Sequence, residues 1–203
     1  MQKGVGFTVI SLVVGAFTLS CVSPFYGTAR IEPGWHMDAG VAATTFISPA
    51  NEWFPECIGG RGDYEIRYGF NQYLQVNGRI GAGLGYRLPS EGFPPPPIKD
   101  MYPLLDGAIG IQGSFPLGSV TPSLRVELIY PHSQIVAPTL LFGLGRNEWL
   151  TIGVGGHLVD VFVTAHPSKR WSFFAGANVF SIFNADYSDY PLASIGVGYK
   201  ILN

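Results

Sequence analysis

The sequence predicts an all-β chain: an antiparallel up-and-down β-barrel of about ten strands, with eight as the alternative, behind a cleaved N-terminal signal peptide. Three observations predict it. Apolar and polar residues alternate with a period of two over long stretches, no segment after Cys21 keeps a helical period, and the connections tend to alternate between short and long. The composition agrees. Charged residues make up 13% of the 203-residue chain and hydrophobic ones 47%, whereas an ordinary soluble domain carries roughly 25% charged residues. A net charge of −2 supplies no basic surface for nucleic acid, and two cysteines do not make a disulfide scaffold.

Residues 1–20 form the signal peptide. Lys3 precedes the apolar run from Val5 to Phe17, which ends in Thr18-Leu19-Ser20-Cys21. The run is short for a membrane helix, which needs about 20 apolar residues. Leu19-Ser20-Cys21 resembles a bacterial lipobox, and that resemblance implies lipidation at Cys21; cleavage at an ordinary signal site a little further on is the alternative. Residues 21–33 follow as an N-terminal linker, and 34–203 as the barrel domain.

The strands are predicted near 35–46, 64–70, 73–88, 103–115, 120–130, 135–144, 149–157, 159–165, 171–180 and 192–202. The third is the clearest. Leu74, Val76, Ile80, Leu84 and Tyr86 fall on one face, and Gln75, Asn77, Arg79 and Arg87 on the other, with glycine and alanine between. Tyr64, Ile66 and Tyr68 alternate with Glu65 and Arg67; Leu124, Val126 and Leu128 alternate with Arg125 and Glu127. The last strand sets Ile195, Val197, Tyr199 and Ile201 against Ser194, Gly196, Gly198 and Lys200. Gly155-Gly156-His157 is either a turn or the middle of one long strand.

Short connections at Asn71-Gln72 and Pro116-Leu117-Gly118 contrast with long ones at 47–63, 89–102 and 181–191. Rising strands open on a repeated phrase that places an aromatic at one rim: Pro33-Gly34-Trp35, Asn71-Gln72-Tyr73, Asn147-Glu148-Trp149 and Lys169-Arg170-Trp171. With Tyr199, the residues Trp35, Tyr73, Trp149 and Trp171 are the candidate interfacial aromatics, because membrane interfaces select such belts.

In alternation, glycine content, loop asymmetry and aromatic phase the chain resembles the small bacterial outer-membrane β-barrels. The resemblance covers nearly all of the sequence after the signal. It implies a class and not an activity: a bacterial outer-membrane location with outer-membrane lipid as partner. The chain as a whole reads as having a structural or interaction role, with protein or small-molecule ligands at the external loops. The C-terminal Tyr199-Lys200-Ile201-Leu202-Asn203 departs from the terminal aromatic of many such barrels.

The apolar face suits hydrocarbon, and the polar face suits a narrow lumen better than a solvent surface. The candidate lumen network is His36, Asp38, Glu65, Arg67, Arg79, Arg87, Asp106, Arg125, Glu127 and Lys200. Both signs are present, so the side chains can pair across the interior and close it. A narrow pore is the alternative reading, and a lipocalin-like carrier with exchanged faces another. A barrel lipid hydrolase would use His132-Ser133, for which no acid partner is evident by spacing. No catalytic residue, metal site or cofactor is expected, since His36, His132, His157 and His166 are scattered. Cys57 is expected as a lone thiol in the first external loop, Arg61-Gly62-Asp63 as turn chemistry, and Pro94-Pro95-Pro96-Pro97 as a stiff loop.

Overall fold

The computed structural model describes residues 24–47, 55–87, 101–130, 136–155, 160–178 and 193–202. Ten strands form one closed antiparallel barrel: β1 Gly34–Ile47, β2 Pro55–Gly69, β3 Leu74–Arg87, β4 Met101–Ser114, β5 Val120–Tyr130, β6 Val136–Leu144, β7 Leu150–Gly155, β8 Asp160–Ala165, β9 Trp171–Asn178 and β10 Ala193–Leu202. Each strand pairs with the next, and β10 closes on β1. The described residues contain no helix. Ten strands replace the eight-strand alternative, and Gly155 ends β7 before a break to β8, so 149–165 is a hairpin and not one long strand.

Turn chemistry fixes the register at one end. Asn71 Oδ1 accepts the main-chain N–H of Tyr73 and Leu74 at 2.8 and 3.0 Å, and Ser168 Oγ accepts those of Arg170 and Trp171 at 3.3 and 3.1 Å. Gly118 and Gly145 take the positive φ that their tight turns require, 69° and 89°. This turn end holds the connections 70–73, 115–119, 145–149 and 166–170. The opposite end carries 48–54, 88–100, 131–135, 156–159 and 179–192, which lie outside the described residues, as do His132, Ser133, His157 and Pro94–Pro97.

One boundary is corrected. β2 begins at Pro55 and not near 64, so Cys57 and Arg61-Gly62-Asp63 belong to a strand that pairs with β1 and β3 rather than to a loop. Gly59, Gly60 and Gly62 had left this stretch without side chains whose alternation could be seen.

The two faces of the wall differ in where they carry charge. Trp35, Val41, Ile80, Leu105, Ile109, Leu128, Leu140, Phe173 and Ile195 are among the large apolar side chains exposed on the outside. Among the described strand side chains that point outward, none is Asp, Glu, Lys, Arg or His. The inside holds the polar groups: Asp38, Glu65, Arg67, Gln75, Asn77, Gln112, Arg125 and Thr151 are all buried. Water-soluble barrels have the reverse distribution, with charged side chains outside.

Candidate functional site

The lumen divides lengthwise. Strands β1 to β5 contribute its charged side. Asp38 is ion-paired with Arg67, whose Nε lies 4.0 Å from Glu65; Glu65 accepts from Arg125 at 2.7 Å. Arg125 then donates to Glu127 at 2.7 Å, and Glu127 also accepts from Arg79 at 3.2 Å and Asn77 at 3.1 Å. Such a chain lets buried charges neutralise one another, which is the condition for keeping them out of water. Nearer the loop end, Arg61 forks between Asp63 at 2.5 Å and Asp106 at 2.7 Å.

Strands β6, β8 and β9 contribute an apolar patch. Leu141, Phe162 and Phe174 turn inward and pack with Phe25, Tyr26 and Ala29. These last three belong to a segment that the sequence read as a linker before the barrel. Residues 24–31 instead run inside the barrel, between the charged side and the apolar side, and Glu32 and Pro33 are exposed.

Side chains of the wall hold this segment by its main chain. Thr164 Oγ1 donates to the carbonyl of Phe25 at 2.7 Å, and Gln112 Nε2 donates to those of Thr28 and Ala29 at 3.1 and 3.0 Å. The Glu148 carboxylate accepts the N–H of Ala29 at 2.5 Å and that of Arg30 at 2.7 Å. Tyr26 donates its hydroxyl to the Val41 carbonyl at 3.1 Å, and its ring covers Gly40, Gly196 and Gly198, where any β-carbon would collide with it. Phe25 packs against Phe162 at 5.5 Å between ring centres.

Glu148 is shaped for this contact. Its φ is +44°, a strained conformation for a residue other than glycine, and its side chain is buried. A β-carbon at Gly143 would strike its carboxylate. Thr151 donates its hydroxyl to Glu148 at 2.7 Å; having one proton, it must accept from His166 Nε2, 3.0 Å away. His166 is therefore the Nε2–H tautomer, and burial pushes its pKa down to about 4, so it is neutral. Hydroxyl, imidazole and carboxylate thus meet, but in the wrong order for nucleophilic catalysis. There the imidazole stands between the other two and takes the hydroxyl proton, whereas here the hydroxyl stands in the middle and gives its proton to the carboxylate.

Of the sequence-designated lumen residues, His36, Asp38, Glu65, Arg67, Arg79, Asp106, Arg125 and Glu127 face the interior with the partners described, His36 Nε2 bonding the Glu32 carbonyl at 3.0 Å. Lys200 lies on β10 in register with Asp38. Arg87 ends β3, with its side chain outside the described residues, and Cys21 lies outside them altogether. Arg61, Asp63, Glu148, Thr151 and the 24–31 segment were missed. The parity of Arg61 and Asp63 with Glu65 and Arg67 was the available signal.

The designated aromatics share the turn-end rim. Trp35 packs on Tyr68 at 4.8 Å and Trp171 on Tyr199 at 5.0 Å, Arg170 donates to the Tyr199 hydroxyl at 3.1 Å, and Tyr73 and Trp149 stand exposed beside them. Phe70 and Phe115 extend the same rim.

No protein-family model and no curated protein matches this sequence.

Proposed function

We propose that this protein is a bacterial outer-membrane β-barrel with a structural or interaction role, closed at rest, whose partners meet it at the connections of the loop end. The observation that carries the reading is the outward wall: apolar from β1 to β10, without one Asp, Glu, Lys, Arg or His among its described side chains. In water such a surface far exceeds the few hundred Å² of contiguous apolar area that a soluble monomer tolerates. In a bilayer it is the expected surface of a spanning barrel, because every strand hydrogen bond is made within the closed wall.

Other features support it. The aromatic rim at the turn end has the side chains that membrane interfaces favour, and the turns there are short, as on the periplasmic side of such barrels. Both ends of the barrel domain, Gly34 and Leu202, lie at that rim. Export by the N-terminal signal fits this placement, with lipidation at Cys21 a further part of the proposal. A lumen occupied by ion pairs and by residues 24–31 favours a structural or binding role over free diffusion through the barrel.

Fractionation of a Gram-negative host that expresses the full chain tests the reading. The protein should remain in the outer-membrane pellet after carbonate washing and migrate differently on a gel before and after boiling. Release into the soluble fraction would overturn the membrane assignment and make a carrier the better account.

A further inference from the structure

We infer that residues 24–31 are a withdrawable plug and that the barrel is a gated pore for small hydrophilic ions and solutes. This rests on the membrane reading above and goes beyond it, from a closed barrel to one that opens.

The segment occupies the lumen without joining the wall. It pairs with no strand, since all sheet hydrogen bonding runs between consecutive strands and β10 with β1. The barrel is therefore complete without it, and withdrawing the segment breaks no rung of the ladder. What holds it is side-chain contact alone: Thr164, Gln112 and Glu148 bond its main chain, Tyr26 and Arg30 donate to the Val41 and Gly118 carbonyls, and Phe25, Tyr26 and Ala29 pack on the apolar patch.

The wall beneath it is also built to receive something. Small barrels fill their lumen with wall side chains. Here Gly40, Gly196 and Gly198 carry none, and Tyr26 of the segment fills the space they leave. The ion pairs cannot replace it, because Asp38, Arg67, Glu65, Arg125, Glu127 and Arg79 are bonded to one another along β1, β2, β3 and β5, on one side of the lumen. If the segment leaves, its own volume becomes the path, bordered on one flank by charged groups that water can solvate.

Glu148 is the latch. Its strained backbone, the clearance at Gly143 and the Thr151–His166 pair all serve to aim one carboxylate at two consecutive N–H groups of the segment. A carboxylate that accepts a pair of main-chain N–H groups makes a strong contact that is lost as a unit when the segment moves away. Strain kept at a single contact of this kind suits a device with two positions better than a permanently filled core.

The test is electrical. The full chain, a variant lacking residues 24–31, and a Glu148→Ala, Tyr26→Ala double variant are each shown to fold by heat-shifted migration and are then inserted in planar bilayers. The wild type should be mostly silent, with rare brief steps. Both variants should conduct, with open time raised by about tenfold or more, as loss of a doubly bonded charged latch implies. Folded variants as silent as the wild type would overturn the proposal, and so would a wild type that conducts as freely as they do. Failure of both variants to reach the shifted band would show that the segment is integral core, and would overturn it as well. A wild type that never enters the bilayer would instead refute the membrane reading on which it rests.

Discussion

The guanidinium of Arg125 stands 5.1 Å from the centre of the Phe25 ring. One side chain thus joins the two halves of the interior: it closes the ion-pair chain between Glu65 and Glu127, and it forms a face on which the N-terminal segment rests.

Arg125 should accordingly be the least replaceable residue of the lumen. Arg125→Met leaves Glu65 and Glu127 buried with one fewer positive partner, and breaking a buried pair from one side costs about 3–5 kcal/mol. The urea midpoint for loss of the heat-shifted band should fall by a corresponding amount. Arg170→Met, at an exposed turn, should leave the midpoint nearly unchanged.

The outward wall predicts a depth profile. Ile80 lies at the middle of β3 and Leu74 at its turn-end limit, both facing out. Ile80→Arg should destabilise folding into lipid vesicles by about 2–4 kcal/mol, and Leu74→Arg by about 0–1 kcal/mol. Equal effects at the two positions would contradict the placement of the membrane's mid-plane.

Glycine at position 40 is predicted to matter through Tyr26. Gly40→Val would drive a side chain into the space of the Tyr26 ring, and overpacking of this kind costs about 1–3 kcal/mol. Hydrogen exchange at residues 25–30 should accelerate while exchange in β4 and β5 stays slow. Loss of protection throughout the barrel would instead show that segment and wall unfold together.

The stability of the fold should depend on pH in one direction through Glu148. Burial raises the Glu148 pKa above the ordinary carboxylate value, outweighing the hydrogen bonds from Thr151, Arg30 and Ala29 and the nearby Arg30 charge, which lower it. A carboxyl whose pKa is raised in the folded state stabilises the fold most below its ordinary pKa, and that contribution is lost as pH rises through the raised value. His166 is neutral in the folded chain above about pH 4. The urea-midpoint difference between the wild type and Glu148→Ala should therefore shift in favour of the wild type at pH 5 relative to pH 8. A difference that is the same at both pH values would contradict this.

Much of the wall was legible because a barrel strand with unlike faces writes its period into the sequence. Leu74 to Arg87 shows it through alternating side chains, and Val120 to Tyr130 does so with Leu124, Val126 and Leu128 against Arg125 and Glu127. The start of β2 was illegible because glycines at 59, 60 and 62 leave nothing to alternate. Phe25 and Tyr26 were illegible for another reason. A short segment with no hydrogen-bonded period is buried solely by what surrounds it, and those contacts come from β1, β5, β6, β8, β9 and β10. Glu148 read only as part of the phrase that opens a rising strand, since nothing local shows that its carboxylate reaches Ala29, 119 positions earlier.

The central claim, that the apolar face meets hydrocarbon, is tested most directly by quenching with bromine-labelled lipid. In a background with Trp35, Trp53, Trp149 and Trp171 changed to Phe, one tryptophan is placed at Ile109, facing outward, or at Phe174, facing the lumen. With both variants folded in vesicles brominated near the bilayer centre, the account predicts strong quenching at position 109 and little at 174. Quenching at 174 and not at 109, or at neither position, would contradict it.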